Sequence, residues 1–177
     1  MELIHVLGMG ESLKEYKPDG YTTIGVNDIH GKIKTDFVVC VDVPSAFNPE
    51  RLATLKQTNC EGFYSQLDEW AFLPNFNKIE FNRGRGFVSE IDNNKFCYSN
   101  NSTYVAVILA FKMGAKCIVL HGADFQTHAH FKGNSKDKVL TDFKELKKAL
   151  NARGVTLCVG SSFSALAAFL PIFQSKN

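Results

Sequence analysis

Several features that would decide the class of this protein early are missing from its sequence. No apolar run approaches the ~20 residues that a membrane-spanning helix needs. The N-terminus also lacks the basic-then-apolar layout of a signal peptide. A cytoplasmic protein without an integral membrane segment is expected. Charge of one sign is scarce: twenty Lys and Arg against eighteen Asp and Glu leave +2 over 177 residues, no basis for a nucleic-acid or membrane-surface binder. Cysteine occurs five times, an odd count with no CxxC pair, which argues against a disulfide framework. Cys40, Cys117 and Cys158 lie in apolar, strand-like runs where a thiol acts as a small hydrophobe. No repeat, low-complexity tract or linker interrupts the chain, so one domain over 1–177 is expected. With 45% hydrophobic and 21% charged residues it is of ordinary globular composition.

What is present alternates in kind. Apolar, β-branched runs at Glu2 to Leu7, Tyr21 to Val26, Asp36 to Val41, Lys116 to His121 and Val155 to Val159 each stop near a glycine or polar break, as buried strands do. Helical spacing marks Phe47 to Gln57, Ser102 to Met113 before Gly114, Lys138 to Ala152 before Gly154, and a short Ser164 to Leu170 before Pro171. Strands alternating with helices predict a doubly wound, mostly parallel α/β sheet. Between Cys60 and Cys97, aromatics mix with turn formers, and only Phe63 to Tyr64 and Ile79 to Phe81 read as short strands. Core packing explains these aromatics, and so does a surface for a partner chain, which leaves a homo-oligomer open.

In such a sheet ligands bind at the carboxyl ends of the strands. Those ends read Gly8-Met9-Gly10-Glu11-Ser12, Asn27-Asp28, Asp42, Gly122-Ala123-Asp124 and Gly160-Ser161-Ser162, glycines and small polar residues throughout. Helix caps and turns favour the same residues singly, but agreement across five ends points to a pocket on that rim. Gly8 and Gly10 let backbone approach a ligand and present N–H groups to an anion. They are a poor dinucleotide fingerprint, because Leu13 stands in place of a third glycine and the second strand closes on Asn27 rather than a carboxylate. Asn100-Asn101-Ser102-Thr103 starts the best helix, as cap or as phosphate seat. His128 and His130 follow Asp124 in a loop and are candidates for proton transfer, whereas His5 and His121 lie within strands as core groups. Arg83-Gly84-Arg85-Gly86 reads as a solvated basic loop, with covering an anionic ligand as the alternative.

Gly8-Met9-Gly10-Glu11-Ser12-Leu13-Lys14-Glu15, together with Asn27, the block from Asn101-Ser102-Thr103-Tyr104 through Gly122-Ala123-Asp124-Phe125, and Ser161-Ser162-Phe163-Ser164-Ala165-Leu166, resembles the bacterial sialyltransferases of lipooligosaccharide. The central block is also similar to the motility accessory factor family, whose relatives include a dihydropterin pyrophosphokinase.

The resemblance implies a Rossmann-like three-layer fold that holds a nucleotide or nucleotide-sugar, a CMP-sugar donor, with no metal or further cofactor, and a glycan acceptor. Gly8, Gly10, Ser12 and Asn27 would meet the nucleotide or its phosphate, and Asn101, Ser102 and Thr103 the donor. Asp124 and Phe125 would shape the base and ribose pocket, closed by Ser161 and Ser162, while Asp42 belongs to the rim by its strand end. In the family a histidine base lies in a His-x-x-Gly-His-Ser-Lys pattern. The matching stretch here, His130 to Lys136, has Asn134 at the base position. Asparagine takes no proton at neutral pH, so His130 or His128 would serve instead. Gln126 replaces a family tyrosine, and because the chain is far shorter than those transferases, the resemblance implies that much of the lid over the acceptor is missing. Three readings result: a glycosyltransferase, a nucleotide-binding module without transfer, and a pyrophosphokinase-like transferase acting on a small alcohol.

Overall fold

The computed structural model describes residues 3–85, 88–126 and 134–174, with backbone alone for 83–85 and 134–135. Five strands form where continuous apolar runs allow burial on both faces: β1 (Leu3–Leu7), β2 (Thr22–Val26), β3 (Phe37–Val39), β8 (Cys117–His121) and β9 (Thr156–Val159). Every residue of β1 and β8 is buried, as a parallel sheet covered on both sides requires. With β4 (Gly62–Ser65) and β5 (Phe76–Lys78) they make a seven-stranded sheet of order β5-β4-β3-β2-β1-β8-β9, parallel at every pairing. This is the expected three-layer α/β arrangement.

One face of the sheet carries Ile4, Val6, Ile24, Val26, Val39, Ile118, Leu120 and Leu157. It packs on α2 (Ser102–Lys112) and α3 (Asn134–Asn151) through Val105, Ile108, Phe143 and Leu146. The other face places Leu7, Val38 and Phe63 against Leu13, Ile29, Leu55 and Trp70, brought by short 3₁₀ turns and by α1 (Pro49–Lys56). Asn48 caps α1 by accepting from Arg51 N, and Pro49 opens its first turn. Residues 102–110 of α2 are all buried, so this helix is held by packing on every side.

Four expectations need correction. Ile79 to Phe81 is not one strand: β5 ends at Lys78, and β6 (Phe81–Arg85) pairs in parallel with β7 (Phe96–Tyr98) in a separate two-stranded sheet. Arg83 to Arg85 is therefore strand backbone rather than loop. The segment after Ser164 is a 3₁₀ turn, Ala165–Ala168, capped by the Ser164 side chain, because Pro171 leaves no room for a longer helix. Helix α3 begins four residues before Lys138, where a polar first turn hides its start. All five cysteines are free and buried.

Candidate functional site

The five strand ends singled out in the sequence follow β3, β2, β1, β8 and β9, which are consecutive in the sheet, and so they form one continuous rim. From β1 the chain winds outward to β5, then returns across α2 to β8 on the opposite side of β1. The reversal between β1 and β8 is the topological switch point at which open α/β sheets bind ligands.

At that point two loops are fastened together. Gly8 N–H donates to His121 O and Gly10 N–H to Gly122 O, both at 2.7 Å. A Cβ on Gly8 would stand 2.5 Å from Gly122 O, and one on Gly122, at φ +62°, would stand 2.5 Å from Gly8 O. The glycines therefore serve backbone-to-backbone approach, and their N–H groups, expected to face an anion, are occupied by the end of β8 and the loop that follows it. Ser12 closes the same junction. Its N–H (2.9 Å) and its hydroxyl donate to the Asp124 carboxylate, while its oxygen accepts from Gly122 N–H at 3.2 Å. Both side chains are buried.

At the β2 end, Asn27 adopts φ +54° and accepts from the Ser102 hydroxyl at 2.9 Å. Ser102 Oγ in turn accepts from Val41 N–H at 3.2 Å, so the start of α2 is stitched to the ends of both β2 and β3. Asn101 caps α2 by accepting from Tyr104 N–H at 3.1 Å, and Thr103 is buried beside it. Asp42 lies just beyond β3, and its carbonyl accepts from Trp70 Nε1 at 2.9 Å. Next to Asn27, buried Asp28 receives Arg51 from α1 in a forked contact, Nε at 2.9 and 3.0 Å and Nη2 at 2.6 Å.

On the other side of the switch point, Phe125 is buried at φ +51°, its ring 5.5 Å from that of Phe143. A bulky residue in the left-handed region costs on the order of 1–3 kcal/mol, and such strain collects at functional sites. The loop after β9 is tied to this one by Ser164 Oγ donating to Ala123 O at 2.7 Å and Ala165 N–H donating to Asp124 O at 2.8 Å. Ser161 is buried and accepts from Phe163 N–H, whereas Ser162 is exposed. Gln126 donates to Phe163 O and accepts from Lys136 Nζ.

Beneath the rim, His5 Nδ1 and His121 Nε2 are 3.0 Å apart, and His5 Nε2 is 3.0 Å from Asp19 Oδ2. A carboxylate only accepts, so His5 carries its proton on Nε2 and its Nδ1 accepts from His121 Nε2–H. Both histidines are core groups, as expected. Burial, with His5 as neighbour, pushes His121 down to about 4, and burial lowers His5 against the pull of Asp19. The Tyr16 ring lies tilted with its centroid 4.7 Å from that of His121, and burial raises its hydroxyl to about 12.

His128 and His130 lie outside the described residues, as does the side chain of Asn134. Among the described residues no three His, Cys, Asp or Glu side chains gather as a metal site. Among the described residues, a cavity of about 370 Å³ sits away from the rim at the amino ends of β2 and β3, lined by Tyr16, Tyr21, Asp36 and Glu61, and another of about 560 Å³ lies between α3 and β9. Arg51 and Lys32 were missed in the sequence. Lys32 Nζ donates to Met9 O at 3.1 Å, a contact across 23 residues that no local pattern signals.

No family model matches the chain, and no curated protein matches it. Solved structures do match. The sialyltransferase CstII from Campylobacter jejuni in complex with the substrate analogue CMP-3FNeuAc has a TM-score of 0.61 at 16% identity, over 97% of this chain and 85% of that chain. CST-II in complex with trisaccharide acceptor and CMP gives 0.61 at 18% identity, over 96% and 85%. The monofunctional alpha-2,3-sialyltransferase Cst-I from Campylobacter jejuni gives 0.59 at 17%, over 97% and 80%. The likeness is one of fold.

Proposed function

We propose that this chain is one Rossmann-like nucleotide-binding domain and acts as a sialyltransferase-like, metal-independent glycosyltransferase with a CMP-sugar donor and a glycan acceptor. The observation that carries the reading is the union of two facts. The polar strand ends form one rim at the switch point, and the fold follows CMP-bound sialyltransferases over 97% of this chain. The nucleotide lies along the rim between the loops at Gly8, Asn27 and Asp42 on one side and Phe125, Ser161 and Ser162 on the other. Ser12 and Asp124 hold the two loops in register. Ser102 and Thr103, the first residues of α2 after the Asn101 cap, face the donor phosphate with helix N-terminal N–H groups.

In the transfer step the acceptor hydroxyl gives its proton to His130 or His128 and bonds to the anomeric carbon. The carbon–oxygen bond to phosphate breaks, and CMP leaves with the electron pair. The test is hydrolysis and transfer with a panel of CMP- and UDP-sugars, with ATP and magnesium as a comparison arm. Turnover with a CMP-sugar that is lost in His130→Ala or His128→Ala is expected. No turnover with any donor contradicts it.

One observation favours a second reading, a nucleotide-binding module without transfer: Asn134 stands where the resembled family has its base. Binding of CMP without turnover of any donor selects that reading.

A further inference from the structure

The rim between β1 and β2 carries a cation, Lys32, that makes no ion pair among the described residues. Gly8 N–H donates to His121 O at the end of β8, Gly10 N–H to Gly122 O just beyond it and Ser12 N–H to Asp124, so these three amides of the loop are turned away from an anion. Of the cations near it, Lys14 pairs with Glu11 at 3.0 Å and Arg51 with Asp28 at 2.6 Å, each facing a carboxylate. Lys32 is different. Its exposed ammonium is fixed over the glycine loop by Met9 O, a neutral carbonyl, at 3.1 Å. A carbonyl dipole orients the ammonium without cancelling its charge, and an ammonium has three donors, of which this contact uses one. The 3₁₀ turn Ile29–Gly31 immediately precedes Lys32 and follows Asn27 and Asp28, so the forked Arg51 contact also anchors the segment that presents the lysine.

We infer that Lys32 binds the phosphoryl group of the nucleotide from the β1–β2 side of the rim, supplying the cationic contact that the glycine loop does not. The inference rests on the nucleotide-binding reading above and adds a residue to it. A charge-assisted contact of this kind is selective for the phosphate and indifferent to the nucleoside.

The experiment is calorimetric titration of CMP and of cytidine into the intact chain, Lys32→Ala and Lys32→Arg, at low and high salt. Lys32 is exposed, so both variants should fold. Lys32→Ala is expected to weaken CMP about five- to tenfold at low salt, with less loss at high salt. Cytidine affinity stays unchanged, and Lys32→Arg keeps most of the CMP affinity. Equal weakening of CMP and cytidine, or no change in CMP, overturns the role of Lys32 alone. A wild-type chain that binds neither ligand overturns the nucleotide-binding reading and this inference together.

Discussion

Ser12 and Asp124, 112 residues apart, are joined by two hydrogen bonds from the amide and hydroxyl of the first to the carboxylate of the second. Through this pair the loop after β1 and the loop after β8 become one unit at the switch point. Removing the carboxylate strands buried donors, a loss of about 2–3 kcal/mol. Asp124→Ala should lower the urea midpoint accordingly, and Asp124→Asn, which keeps one acceptor oxygen, should cost less.

The glycine pair beside them makes a sharper contrast. A methyl group on Gly8 collides with backbone of the opposite loop, which neither side can yield. Gly8→Ala should cost about 3 kcal/mol. Gly154 has φ +73° but nothing within 4 Å of an added Cβ, so Gly154→Ala should cost only the left-handed strain of about 1–2 kcal/mol. Equal midpoints for the two variants in chemical denaturation would argue against the close approach of the two loops.

The buried His5–His121 pair predicts a stability profile with pH. His121 is held neutral in the fold, its pKa depressed from 6.5 to about 4. The unfolded chain therefore binds a proton that the folded chain refuses as pH falls below 6.5. Stability is complete above that value and declines toward pH 4, by roughly 2–3 kcal/mol. Urea midpoints measured from pH 8 to pH 4.5 should show the decline, and His121→Gln should flatten it.

Arg51 reaches Asp28 beside the left-handed Asn27, so its loss should act on binding as well as on folding. Arg51 is part-exposed, with 42% of its side chain accessible, and Asp28 is 10% accessible. Arg51→Ala should destabilise by about 1–2 kcal/mol, and CMP affinity should fall with it. Lys78, paired with Asp68 in a fully solvated contact, is the control: Lys78→Ala should leave both unchanged.

The strands that carry the rim are legible because each is a largely apolar run stopped by a glycine or a polar residue, as Leu3 to Leu7 before Gly8. β5 was not, since Phe76-Asn77-Lys78 is a half-exposed edge strand with one apolar side chain. β6 reads as a flexible basic loop because Arg83-Gly84-Arg85 has no strand propensity, and only pairing with β7 makes it one. The rim residues were nameable one by one, but their division of labour was not. Ser12 and Asp124 read as ligand contacts and turn out to bond each other across the chain. Lys32 reads as an ordinary surface lysine, because its partner is a carbonyl 23 residues away.

CMP is expected to bind on the rim between β1, β2 and α2. Calorimetric titration of CMP into the wild-type chain and Asn27→Gly tests it most directly, since glycine keeps the left-handed turn at φ +54° while removing the amide that Ser102 engages. Saturable binding at one site is expected, weakened about tenfold or more in Asn27→Gly. No binding of CMP by the wild-type chain, or equal binding by the two, would contradict it.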